Sequence, residues 1–600
     1  MKKIISIVAL LCTVAVNAQD IRLNQLGFYT GAPKIAVVVN NENATGFYIV
    51  SASNNDTVFR GKLSALQSSK NSSLKTKTAD FSAFRRTGQF YIAVKGAENS
   101  YVFSIGKNVN HPAAVAALKA YYYIRASMPL DKKYAGVWAR AEGHPDTVVY
   151  IHPSAASAAR PAGTIISSRG GWYDAGDYNK YIVNSGISTA TLLSAYEDFS
   201  SYFDTLKTNI PENGNGIPDI LNEAIYNLRW MLTMQDPNDG GVYHKCTDAV
   251  FDKFEMPNED TMRRYAVQKG TAATLDLAAV AAQAARIFKK YKLLKSLSDS
   301  CLHAAVAAWN WAKKNPDILY DQRKINEQFL PKITTGAYGD RNMKDEFFWA
   351  ACELYVTIGN VDYHQLIYTT TKNEKYFQTI QQYLDSSNYH IALPSWNNVA
   401  ALGVYTLLRG SNNSNSKFMI SSDGLAGLLY PLQRSLLKMA DNYVDSIQTN
   451  AFKTVMGGQR QDFVWGSNAN AANQAVLLIN AYFLTHKKGY IDAALTNLDY
   501  ILGRNATGYS FVTGIGVKHT MHPHHRPSVA DGIVEPVPGL MAGGPNPGMQ
   551  DHCHYDFTEP ETAYTDLDCS FASNEIAINW NAPLVYIANA IEALQKEVGY

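Results

Sequence analysis

The chain has 600 residues, of which 46% are hydrophobic, 18% charged and 12% aromatic, with 37 Tyr, 23 Phe and 9 Trp. That content excludes disorder over its bulk, which needs fewer apolar side chains and more net charge. The 54 basic side chains exceed the 52 acidic ones by no more than Lys2 and Lys3. A surface without net charge argues against nucleic acid or an anionic membrane as the main partner, because both select basic faces.

Residues 1–18 have the layout of an export signal: Lys2 and Lys3, an apolar run over 4–14, then Val16-Asn17-Ala18 with small residues at the cut. The run is too short to span a bilayer. Leu11 before Cys12 does not suit lipid attachment. The protein is therefore expected to be exported, periplasmic or secreted. Export permits disulfides. Cys553 and Cys569 flank a short polar loop and are expected to pair, whereas Cys246, Cys301 and Cys352 read as buried or free thiols.

Residues 19–106 read as a small β-sandwich, with β-branched and aromatic runs over 35–39, 46–50 and 88–94 between clusters of Gly, Asn and Ser. Residues 107–600 read as mainly helical. The stretch 271–290 (TAATLDLAAVAAQAARIFKK) and residues 473–482 are Ala-rich and apolar over a wide arc, as expected of helices packed on more than one side. Alternating helix and polar loop over this length suits a closed helical barrel whose loops build the site.

Three loops carry chemistry. In 169–181 (RGGWYDAGDYNKY), Asp174 and Asp177 stand beside Trp172, Tyr173, Tyr178 and Tyr181. Two close carboxylates can hold one water and activate it, and flat aromatic faces can stack on sugar rings. The same Asp and Gly pattern also serves a surface turn or a calcium loop. In 510–526, His519, His522, His524 and His525 invite a metal, but no carboxylate or Cys stands at ligand spacing and Arg526 disfavours a divalent cation. As donors to sugar hydroxyls, His and Arg serve better. In 564–585, Glu575 stands at the expected start of an apolar helix. A carboxyl walled by apolar side chains there can act as a general acid, or it can simply satisfy the helix's first N–H groups.

Together these loops resemble glycoside hydrolase family 9. One family pattern is matched by Ser510, Val512, Thr513, Gly516, Lys518, Pro523, His524 and Arg526, and another by Tyr564, Asp566, Phe571, Glu575, Ala577, Asn581 and Ala582. The stretch from Asn24 to Gly27 (NQLG) is similar to the start of the immunoglobulin-like domain that precedes the barrel in one branch of the family. The resemblance implies an (α/α)6 barrel and inverting hydrolysis of β-1,4-glucosidic bonds in β-glucans. It implies Asp177 as general base, Asp174 as a second holder of the water, Glu575 as general acid and Asp566 as a further active-site carboxylate. It also implies His524 and Arg526 in the sugar sites. Endo action is expected, with exo removal of glucosyl or glucosaminyl units as the alternative if residues 552–560 or 121–134 close one end of the cleft.

Two departures bear on metals, and no cofactor is expected for the chemistry itself. Relatives with the immunoglobulin-like domain often carry a structural zinc on two Cys and two His. The corresponding positions here are Ala126 and Gly143, with His144 and His152 retained, so no zinc is expected. The stretch 338–346 resembles a family calcium loop, with Asp340, Asp345 and Glu346 as oxygen donors. Asn397 and Asn398 stand where a further aspartate is common, and Arg341 and Lys344 are near, so a structural calcium stays an open expectation.

Overall fold

The structure, a computed structural model, describes residues 20–359, 366–412 and 423–600. The expected export signal lies outside the described residues. Strands β1 (Ile21–Arg22), β3 (Ile35–Val39), β7 (Lys75–Asp80) and β6 (Gln67–Ser68) form one sheet in that order. Strands β2 (Gly27–Tyr29), β9 (Phe103–Gly106), β8 (Gly88–Val94), β4 (Gly46–Ser51) and β5 (Thr57–Lys62) form the other. The three runs expected as strands are β3, β4 and β8. Their alternate side chains meet in a core where Phe28 lies edge-on to Phe81 at 5.0 Å and to Phe103 at 5.3 Å. Each buried ring contributes roughly 1.5–3 kcal/mol. Gly27, at φ 132°, is required: a Cβ there would lie 1.9 Å from the Ser104 carbonyl oxygen.

Beyond residue 110, twelve helices form two concentric layers. Ile182–Phe203, Thr271–Phe288, Lys344–Gly359, Ala400–Asn412, Ser467–Thr485 and Ile578–Leu594 form the inner layer. Asp219–Thr233, Lys295–Lys314, Leu366–Ser387, Asp423–Thr449, Lys488–Ile501 and His111–Tyr123 pack outside them. This is an (α/α)6 barrel. The wide apolar arc of 271–290 is explained directly: Thr271–Phe288 has neighbours on both sides and outside, and 17 of its residues are buried. Among the described residues no helix is long and apolar enough to cross a membrane.

The connectivity alternates outer and inner helices, so the inner ones run parallel and start at the same end of the barrel. Each chemistry-bearing loop lies just before one of those starts: 169–181 before Ile182, 338–343 before Lys344, and 564–577 before Ile578. A third, short-stranded sheet supports the first of them. It contains Lys180–Tyr181, Lys245–Thr247 and Arg264–Ala266, strands too short to show any periodicity in the sequence.

The NQLG stretch has an architectural task. Asn24 Nδ2 donates to Asp499 Oδ1 at 2.9 Å, and Gln25 Oε1 accepts from Val517 N at 2.7 Å and Lys518 N at 2.8 Å. The sandwich thereby pins the base of the histidine loop.

Candidate active site

The base loop is held from below. Lys180 Nζ donates to the carbonyls of Ser168 and Gly170 and pairs with Asp146 at 2.6 Å. Asp174 N donates to the Asn179 carbonyl at 3.0 Å, closing the loop on itself. Asp174 also accepts, at its carbonyl, the N–H of Ile578 at 2.8 Å, the first residue of the helix after Glu575. The two segments that carry the expected base and acid are therefore stitched together by backbone. Glu575 lies three residues before that helix, not in its first turn, and its Oε1 accepts from Gly176 N at 3.4 Å. It does not cap the helix.

Asp174, Asp177 and Glu575 come together, and neutral donors set their orientation. Asp174 accepts from Asn184 Nδ2 at 2.9 Å and from Tyr338 Oη at 2.8 Å. Asp177 Oδ2 accepts from Asn179 Nδ2 at 2.5 Å and from Tyr181 Oη at 3.3 Å. Burial and the Asp177 charge push the Asp174 carboxyl up to about 8. Burial, then the charges of Asp177 and Asp174, hold Glu575 well above the usual carboxylate range, which favours its protonated form. Such a group can donate a proton across a cleft from an activated water.

Gly176 is the hinge of the arrangement. A Cβ there would meet the His524 carbonyl oxygen at 2.2 Å, so only glycine allows the base loop to touch the histidine loop. The Gly176 carbonyl accepts from Arg526 N at 3.1 Å and from Arg526 Nη1 at 2.7 Å. Arg526 Nε and Nη2 donate to the Asp252 carbonyl. Arg526 is 6% exposed, so the expected sugar contact is corrected: it clamps Gly176 and the loop carrying Asp252. His524 stays half-buried at the surface. Its Nδ1 lies 2.5 Å from the Asp568 carbonyl, which places the ring proton there and leaves Nε2 as an acceptor. Asp566 accepts from Met521 N, His522 N and Asn574 Nδ2, which ties the histidine loop to the acid segment.

The aromatic expectation for the base loop is also corrected. Trp172 and Tyr178 are 0% exposed and Tyr173 is 2% exposed. Trp172 packs on Tyr121 at 4.4 Å, and Tyr173 on Tyr178 at 4.9 Å, so none offers a free face to a sugar ring. Tyr121 and Tyr122 are likewise buried in an outer helix, so neither of these two rings is free to close the cleft. Cys553 and Cys569 form the expected disulfide, and Cys246, Cys301 and Cys352 are free and buried.

Several positioning residues carry no motif in the sequence. Asn179 and Tyr181 orient Asp177, and Tyr181, expected as a sugar-stacking ring, is buried. Asn184 stands as a polar side chain in an otherwise apolar helix start, a signal that could have found it. Tyr338 holds a left-handed φ of 45°, and its ring meets Tyr181 at 4.8 Å and Trp396 at 5.3 Å. Only a contact across 164 residues gives it a task.

Two groups bear on metals. His144, Asp248 and Asp260 each offer one ligand atom, all within 4.8 Å of one another, and this buried set could hold a metal. His144 Nε2 lies 3.0 Å from Asp260 Oδ2 and its Nδ1 2.9 Å from Tyr173 Oη, a second-layer partner of the kind that orients ligating imidazoles. The donor set differs from two Cys and two His. A Cβ at Gly143 would lie 2.5 Å from the Pro257 Cβ, and His152 is bonded elsewhere, to Ser154 and the Pro331 carbonyl. The family's two-Cys, two-His set is thus incomplete here, while His144, Asp248 and Asp260, far apart in sequence, are brought together only by the fold.

At the calcium-like loop, Asp340 Oδ2, Glu346 Oε2, Asp276 Oδ1 and Asn398 Oδ1 are buried without a hydrogen-bond partner. Burial and then their mutual charges raise Asp276 and Glu346 well above the usual range, while Arg341 and Lys344 point outward. Orphaned oxygens on neighbouring acids fit a hard cation. Asp276, in the middle of the Ala-rich helix Thr271–Phe288, carries no motif that ties it to residues 340–346.

Residues 111–588 match the family described as Glycosyl hydrolase family 9, and residues 16–99 match the Cellulase N-terminal ig-like domain. The chain is 45% identical over 598 residues, 98% of itself and 97% of the relative, to the xyloglucan-specific endo-beta-1,4-glucanase BoGH9A of Bacteroides ovatus. It is 32% identical to Endoglucanase D of Acetivibrio thermocellus over 94% of this chain and 82% of that one. Among solved structures it is similar to a Bacteroides ovatus GH9 protein, with a TM-score of 0.87 at 44% identity over 96% of this chain and 99% of that one.

Proposed function

The chain belongs to glycosyl hydrolase family 9, a family of inverting glycosidases, and from that premise we propose an endo-acting β-1,4-glucanase that prefers a branched β-glucan of the xyloglucan type. The observation that carries the chemistry is the convergence of Asp174, Asp177 and Glu575, with Glu575 raised well above the usual carboxylate range. In the proposed mechanism Glu575 gives its proton to the leaving glycosidic oxygen. Asp177 takes a proton from a water on the opposite face of the sugar, and Asp174, aligned by Asn184 and Tyr338, holds that water from its other side. Asp566 and Arg526 hold the loops in register, and His524 Nε2 accepts from a sugar hydroxyl. The polymer preference rests on the B. ovatus relative.

Product analysis tests the reading. Xyloglucan should lose viscosity early, before small sugars accumulate, and proton NMR should show an α-configured new reducing end. Release of monomer alone would establish the exo alternative, and a β-configured product would refute inversion.

For the metals, Asp276, Asp340, Glu346 and Asn398 would hold a structural calcium that stiffens the loops before Lys344 and Ala400, with no part in proton transfer. Export to the periplasm or medium belongs to the same reading, because the substrate is a polymer outside the cell.

A further inference from the structure

The loop between Lys245–Thr247 and Arg264–Ala266 has a buried root and an apolar tip. At the root, Asp248 Oδ2 pairs with Arg264 at 2.6 Å, Asp260 meets His144, and the Asp252 carbonyl is gripped by Arg526. Tyr178 Oη donates to the Glu255 carbonyl at 2.5 Å and fixes the tip from beneath. The tip then exposes Val250 at 48%, Phe251 at 48% and Phe254 at 43%. Three large apolar side chains held out within five residues, on a loop so firmly anchored, mark a binding surface.

The tip is continuous with the catalytic cleft. Phe254 stands edge-on to His524 at 5.2 Å, and the Arg526 guanidinium lies 5.6 Å from the Phe254 ring and 5.9 Å from that of Phe251. His524 in turn meets Phe571 at 6.0 Å, and Phe571 meets Trp465, itself 44% exposed, at 5.6 Å. A row of partly exposed rings thus runs past Gly176 and Glu575, starting at the Phe251 and Phe254 tip. With Trp172, Tyr173 and Tyr178 sealed in the interior, this row supplies the flat apolar faces the base loop lacks.

We propose that Phe251 and Phe254 form a sugar-ring platform that determines which β-glucan the enzyme grips. The occupant is the substrate itself, because the platform adjoins the acid and base. Its C–H faces match apolar rings, and a neutral polymer asks for no charge. The pyranose ring seated there belongs either to the main chain or to a branch. The inference rests on the β-glucanase reading above.

The test uses the full chain with Phe251→Ala, Phe254→Ala, the double variant and Phe254→Trp, assayed on xyloglucan and on an unbranched mixed-linkage β-glucan. For the double variant, KM on at least one polymer should rise about tenfold with kcat within about twofold and an unchanged Tm, and Phe254→Trp should keep the wild-type KM. A rise confined to xyloglucan places a branch sugar on the platform, and an equal rise on both polymers places the main chain there. Wild-type turnover checks the parent reading separately. A wild type that cleaves glucan while the double variant keeps its KM on both polymers overturns the platform alone.

Discussion

Two groups of buried carboxylates lie under and around the base loop, and they are held by different kinds of partner. Asp174, Asp177 and Glu575 take their bonds from amides and hydroxyls, of Asn179, Asn184, Tyr181, Tyr338 and the Gly176 backbone. Asp146 and Asp248, within the neighbouring loops, are bridged by Lys180 and Arg264. Burial alone would raise Asp146, yet the two cations pull it below the usual carboxylate range. Neutral donors orient a carboxyl without pairing its charge, whereas Lys180 and Arg264 together fix the charge of Asp146. Asp248, bridged by Arg264, stays above the usual range because burial outweighs the cation. The partners of the first group suit proton transfer and those of the second suit anchorage. Asp252 stands between the two, pushed up to about 9 by burial and by the neighbouring acids Asp260 and Asp248.

The largest expected effect breaks the first group. Glu575→Gln and Asp177→Asn should each lower kcat at least about a hundredfold while Tm stays put. Near-normal turnover of xyloglucan by either variant would remove its assigned role. A smaller effect sharpens the claim about neutral donors. Tyr338→Phe keeps the packing on Tyr181 and Trp396 but deletes the donor to Asp174, so kcat should fall about tenfold with KM little changed. Equal losses in kcat and Tm would instead make Tyr338 a packing residue.

The anchoring group is tested by stability against pH. Asp252 has its folded value raised from 3.8 to about 9, so its contribution is full below pH 3.8 and is lost as pH rises toward 9. Asp252→Asn mimics the protonated form at every pH. Its Tm relative to wild type should therefore climb between pH 4 and pH 9, by the order of 2 °C; a flat difference would contradict the raised Asp252 value. Of similar or smaller size, calcium added to chelator-treated protein should raise Tm by about 1–2 °C, and Glu346→Gln should abolish the rise. Direct metal analysis of the same samples reports whether the His144 group takes up a transition metal as well.

The β-rich start, the helical barrel and the carboxylates that converge were legible because each signal is local. A β-branched run over 35–39 marks a strand, an Ala-rich apolar arc over 271–290 marks a packed helix, and Asp-x-x-Asp beside Gly176 marks two carboxylates on one turn. The direction in which a ring points is not local. Trp172, Tyr173 and Tyr178 look like sugar platforms by composition, but Tyr121, His144 and the outer helices cover them, and the exposed rings come from a loop whose sequence carries no motif.

The sequence by itself determined the family and which carboxyls are candidates for the chemistry, since those follow from residue type at short spacing. Tertiary structure alone decided that Glu575 is raised well above the usual carboxylate range, that Arg526 clamps Gly176, that Asp276 lies beside the calcium-like loop and that Phe251 and Phe254 are exposed next to His524 and Arg526. Burial, mutual charge and ring exposure are sums over neighbours hundreds of residues away, and no window of the chain contains them.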